Sequence, residues 1–187
     1  DSVIFLSYLI AAIQTIQPAF GSQVNALLQS PQPPPPLVVL TALVNEIAAL
    51  SGCLILVLDD YHLIHSSEIH QQLAFIIEHL PTRVHIILLT REDPLLPLAR
   101  LRVQGQLLEI RQADLRFTLP ETAQFFQHTM GMNLTASQLA TLEQRTEGWI
   151  AGLQLAALSL QGRSDVQEFV QAFAGSNRFI LDYLLDE

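Results

Sequence analysis

Lysine is absent from these 187 residues, and all nine basic side chains are arginine. A phosphate-binding P-loop needs GxxxxGK[ST], whose lysine meets the phosphates. No such motif lies in this chain, and its eight glycines are dispersed. Basic charge is scarce overall: eighteen acidic residues leave a net charge of −9. An acidic surface repels phosphate backbones, so the segment by itself is a poor candidate for nucleic-acid binding. The single cysteine, Cys53, excludes an internal disulfide and fits a reducing compartment. Beside an apolar run it reads as a small buried residue. No uninterrupted apolar run reaches the roughly 18 residues needed to span a bilayer. The opening "DSVIFLSYLIAAIQTIQP" begins with an acid and lacks a basic n-region, so it does not read as a signal peptide. No internal repeat is found.

What is present is apolar. Half of the residues are hydrophobic, enough for a sizeable core. Residues 3–16 read as a well-buried helix stopped by Pro18. "SPQPPPP" at 30–36 excludes a helix or central strand and reads as a surface linker of polyproline character. A second helix follows over 37–50. "CLILVLD" and "VHIILLT" at 84–90 are short continuous runs rich in Val and Ile, as in strands of a parallel sheet buried on both faces. Between them "SSEIHQQLAFIIEHL" reads as a helix with Ser66 as its cap and Pro81 just past its end. "PLARLR" suggests a short helix and "QLLEIR" at 106–111 a third strand.

The character changes near residue 115. "TLPE" at 118–121 and "TASQ" at 135–138 match the capping box, a hydroxyl residue followed three later by Glu or Gln. Helices are expected after each, the first ending near Gly131. "GWIAGLQLAALSLQG" reads as another helix with Gly162 at its end. Asp165 and Asn177 are candidate starts for two more. The expected fold is α/β: parallel strands joined by right-handed crossovers over residues 1–114, then an all-helical subdomain over 115–187.

In an open parallel sheet, ligands gather outside the carboxyl ends of the strands. Asp59 and Asp60 stand at one such end, and Thr90 and Arg91 of "LLTRED" at another. A carboxylate there suits a hard cation such as magnesium. An arginine offers a planar fork of donors to phosphate. A second carboxylate suits the orientation or deprotonation of a water. An aspartate simply solvated at a strand exit accounts equally well for such a pair. His62, His65 and His70 follow closely, and a metal-dependent hydrolase built on them and the two aspartates is a rival. They lack an HExxH helix or a CxxC partner, and read better as solvated or hydrogen-bonded loop histidines. No GxSxG elbow supports a nucleophilic serine.

"LVLDDYHLI", "LLTREDPLLPLARLR", "LRFTLPETAQFF" and "TEGWIAGLQLAALSL", in this order, resemble the nucleotide-binding module of MalT-type, LuxR-family ATP-dependent transcriptional regulators, of the STAND class of P-loop ATPases. The resemblance implies a partial P-loop NTPase sheet followed by a helical subdomain that leads toward a winged helix. It implies that Asp59 is the Walker B carboxylate holding Mg, that Asp60 polarises the attacking water, and that Arg91 senses the terminal phosphate. Gly148 and Trp149 match the helical segment that lies against the nucleotide. The strand at 54–59 is expected beside 84–90, and a P-loop strand between 84–90 and 106–111. That strand, with its motif, is expected upstream of Asp1, and the inducer- and DNA-binding domains beyond Glu187. The chain is thus expected to be an internal piece of a cytoplasmic regulator that uses ATP, ADP and Mg and self-associates through this module. By itself the piece is expected to be marginally stable, with no tightly held nucleotide. The other rival is a nucleotide-free scaffold that keeps the fold to bind partners.

Overall fold

A computed structural model describes residues 1–32, 34–163 and 165–173. The chain divides into two compact units, Asp1–Leu107 and Leu108–Glu187.

The first unit sets two parallel strands, β1 (Leu54–Leu58) and β2 (Val84–Leu88), against helices. Leu54 pairs with Val84 and Leu58 with Leu88, so both strands end at the same level. This is the pairing that the resemblance implied for 54–59 and 84–90. Helix α1 (Ser2–Gln14) starts where the Asp1 carboxylate accepts the N–H groups of Val3 and Ile4 at 2.9 and 3.4 Å. Such a cap satisfies donors that the helix leaves orphaned. Helix α3 (Pro36–Ala49) begins on the last proline of the proline run. Proline suits the first helical turn, where no N–H is needed, so the linker is shorter than expected. Helix α4 (Ser67–His79) crosses from β1 back to β2, with Ser66 at the cap position but making no side-chain cap bond. Helices α1, α3 and α4 form one core with the sheet, centred on Ile10, Leu43, Leu73 and Ile76. At the far end of α3, the Arg83 guanidinium donates to the carbonyls of Ala48 and Leu50 at 2.5 and 2.9 Å.

Helix α2 (Ser22–Leu28) is absent from the sequence reading. It is only seven residues long, and a tertiary contact supports it: the Glu46 carboxylate of α3 accepts from the N–H groups of Gly21 at 2.7 Å and Val24 at 3.3 Å. Gly21 has φ +78°, and a Cβ there would stand 2.2 Å from Ile10 Cγ2.

Three expectations are corrected. The strands are not covered on both faces: each alternates, and Ile55, Val57, Ile87 and Leu89 are 46–57 % exposed. The described helices that contribute to the strand core meet Leu54 and Val84, so the opposite apolar face has no cover among the described residues. The run at 106–111 is not a strand. The only ladder among the described residues is β1–β2, and the run finds no strand to pair with: Gln106 N–H donates instead to Leu101 O and Arg111 N–H to the Asp114 carboxylate. Leu108 and Ile110 are accordingly 85 % and 63 % exposed. Cys53 is exposed rather than buried. The short helix expected from "PLARLR" is α5 (Leu98–Val103).

Every regular element of the second unit among its described residues is helical. Helix α6 (Leu119–Gln124) continues into a π-helical turn over Phe125–Thr129, followed by α7 (Ala136–Thr146), α8 (Ile150–Leu160) and α9 (Val166–Ala172). Both expected capping boxes form. Glu121 bonds back to the N–H and hydroxyl of Thr118, and Gln138 to the N–H of Thr135. The two Thr118 bonds hold the Glu121 carboxyl below its ordinary value. The core gathers Phe126, Leu142, Leu153, Ala156 and Leu160. The helix expected from Asn177 lies outside the described residues.

Candidate functional site at the carboxyl end of the parallel pair

The chain leaves β1 in a tight turn. Leu89 N–H donates to Leu58 O at 3.0 Å, and Tyr61 N–H donates back to Leu89 O at 3.0 Å. Two residues, Asp59 and Asp60, therefore bridge one step of the ladder. Asp60 takes up the extra length in the left-handed region, φ 49° and ψ 36°. Aspartate tolerates that region better than most side chains because its short polar group bonds locally. The local bond at this turn comes from the neighbouring carboxylate: the Asp60 backbone N–H donates to Asp59 Oδ1 at 2.9 Å. Both carboxylates are exposed.

The neighbouring strand ends at the same level and continues into Thr90 and Arg91, also exposed. Thr90 Oγ1 donates to Glu92 O at 2.8 Å and closes that turn. Register thus brings Asp59, Asp60, Thr90 and Arg91 to one edge of the first unit, as their positions after two apolar runs suggested. Gly148 and Trp149 belong to the second unit. Glu147 and Gly148 both have positive φ, 52° and 72°, and turn the chain between α7 and α8. Phe117 N–H donates to Gly148 O at 2.8 Å, and a Cβ on Gly148 would stand 2.5 Å from Phe117 O. Trp149 is half-buried at the start of α8, against the apolar core of that unit.

The histidines part company. His65 is exposed in the loop, whereas His70 lies on α4, 6 % exposed. His70 Nδ1 is 2.8 Å from the hydroxyl of Tyr61, itself 1 % exposed, and the rings meet edge-on at 5.4 Å. Burial pushes the Tyr61 phenol up to about 12. This pair is missing from the sequence reading, which treated these histidines as loop residues. The available signal was a histidine on the first turn of an amphipathic helix, one turn before Leu73 and on the same face. Among the described residues, no group of three or more His, Cys, Asp or Glu is gathered as a metal would require. The described residues therefore do not assemble the histidine-based metal site.

The donor set fits one side of a magnesium–phosphate site. Asp59 has one oxygen bound to its own turn and a second oxygen available as a hard donor, and Arg91 stands on the adjacent strand exit. The phosphate cradle, a glycine-rich loop with its lysine, has no counterpart in these residues.

Along nearly its whole length the chain is similar to a class of transcriptional regulators, those of the HTH type. The relatives are MalT regulators. That of Yersinia pestis (strain Pestoides F) is 39 % identical over 185 residues, 98 % of this chain and 20 % of the relative. That of Yersinia enterocolitica serotype O:8 is 38 % identical over the same length. The resemblance to MalT-type regulators is borne out over this span. The chain spans about a fifth of the length of the curated relatives it matches. No family model matches it.

Proposed function

We propose that this chain is part of the ATP-binding switch module of a bacterial signal-responsive transcription activator. The observation that carries the reading is the register of β1 and β2, which puts Asp59, Asp60 and Arg91 at one strand-end edge, in a chain similar to HTH-type regulators. In this reading Asp59 holds the magnesium ion, Asp60 orients and polarises a water, and Arg91 meets the terminal phosphate with its planar fork. Bound Mg-ATP supplies a terminal phosphoryl group whose loss to water reports the state of the switch. ATP favours a self-associating active state, and hydrolysis returns the resting one. Inducer and DNA are bound by other domains, and the protein works in the cytoplasm. Among the described residues no helix is long and apolar enough to cross a membrane. These residues alone hold nucleotide weakly, for want of a phosphate cradle.

A nucleotide-free interaction scaffold is the second reading, and the uncovered apolar face of the sheet favours it. One experiment separates them: calorimetric titration of Mg-ATP into the full-length protein and its Asp59→Ala variant. Micromolar binding that weakens at least about tenfold in the variant supports the switch, since a lost charge-assisted contact is worth roughly 1.5–3 kcal/mol. A well-folded wild type that binds no Mg-ATP leaves the scaffold.

A further inference from the structure

The turn that presents the two carboxylates is not held by the ladder alone. Its last residue, Tyr61, points inward and is among the most buried large side chains of the first unit. A phenylalanine would supply the same apolar packing. The structure instead pairs a phenol with an imidazole in the interior, an arrangement stable only because each polar atom finds the other. The partner, His70, is fixed by its helix: Ile69, Leu73 and Ile76 anchor α4 in the core. The same Tyr61 also closes the ladder through its N–H to Leu89 O, and its carbonyl accepts from Ile64 N–H at 3.1 Å. Asp60 lies between this anchor and the end of β1. Its φ of 49° is uncommon for a non-glycine residue, and although aspartate adopts it more readily than most, it still costs free energy that the neighbouring contacts offset.

We infer that Tyr61 and His70 are positioning residues: their buried hydrogen bond holds the Asp59–Asp60 turn in its left-handed form, with both carboxylates facing solvent beside Thr90 and Arg91. The inference rests on the reading of Asp59 and Asp60 as the cation-holding pair. The pair touches neither ion nor nucleotide. It acts by removing the freedom of the turn, so that the cation meets a preset carboxylate and no binding free energy goes into ordering it.

The test is hydrogen exchange by mass spectrometry on the full-length protein, with Tyr61→Phe, His70→Leu and His70→Asn. Tyr61→Phe keeps the ring and removes only the hydroxyl, so the fold is retained. Asparagine carries an acceptor near the position of Nδ1. Peptides covering 58–64 and 86–92 are expected to exchange at least about tenfold faster in Tyr61→Phe and His70→Leu, while peptides within 71–77 of α4 stay as in the wild type. His70→Asn is expected to restore protection to within about threefold, as the conservative replacement of an acceptor should. Unchanged exchange at the turn, or an increase spread evenly over β1, β2 and α4, overturns the inference. Mg-ATP titration of the same samples keeps the two ideas apart. Loss of protection at the turn in variants of a wild type that binds no Mg-ATP sustains the positioning role and ends the switch reading. A Mg-dependent wild type whose Tyr61→Phe variant has the same turn protection does the reverse.

Discussion

Gly148 is the candidate-site residue whose role is most open to a direct test, because the structure gives it a backbone duty independent of any nucleotide. Replacing it with alanine has three physical consequences. Its φ of +72° costs an L-residue about 1 kcal/mol. The new Cβ would lie 2.5 Å from Phe117 O and 3.1 Å from Phe117 N, both backbone atoms with little freedom to withdraw. Forced overpacking of this kind costs typically 1–3 kcal/mol. Relief of the clash separates Gly148 O from Phe117 N–H and weakens a 2.8 Å bond worth about 1 kcal/mol. Together these give a loss of about 3–5 kcal/mol. Gly131 provides the control, with φ +66° and no described atom within 4 Å of its Cβ position. There the conformational cost stands alone, at about 1 kcal/mol. Urea unfolding followed by far-UV circular dichroism and by the single tryptophan, Trp149, reads both variants without nucleotide. A Gly148→Ala loss below about 0.5 kcal/mol, or one equal to that of Gly131→Ala, would refute the close-approach argument and leave a ligand contact as the reason for glycine there.

Two further outcomes follow from side chains in the first unit. The Tyr61 phenol titrates near 12 in the folded chain against about 10 when unfolded. A group whose folded value is raised contributes stability that is complete below the unfolded value and is lost as pH rises through the folded one. Stability should therefore fall between about pH 10 and 12, and Tyr61→Phe should flatten that part of the curve in alkaline urea titrations. Arg83→Ala removes two bonds to carbonyls at the end of α3, which cations near a helix C-terminus satisfy well. A loss of about 1.5–3 kcal/mol in the same unfolding assay is expected.

The sequence made some of this legible because the signals were local. Apolar runs ending in charged residues located both strands, and their exits located Asp59, Asp60 and Arg91. The two capping boxes announced α6 and α7 because each motif is complete within four residues. What it did not show depends on distant partners. Helix α2 is supported from α3 by Glu46, more than twenty residues away in sequence. The Tyr61–His70 pair depends on how α4 returns over the strand exit. A continuous apolar run cannot reveal which of its faces is covered, so Ile55 and Val57 read as core although they are exposed. The run at 106–111 has the composition of a strand, but composition provides no ladder, and pairing decides.

The one-sided cover of the sheet also shapes how stability varies with temperature. Heat capacity of unfolding comes chiefly from apolar surface that unfolding newly hydrates. Ile55, Val57, Ile87 and Leu89 are already about half hydrated in the folded chain, so they add less to it than core strand residues do. The stability curve of the first unit is correspondingly shallow, with a broad maximum rather than a sharp one. Whatever covers that face adds a negative heat-capacity change of association, and calorimetry over a range of temperatures would register it as a slope in the binding enthalpy.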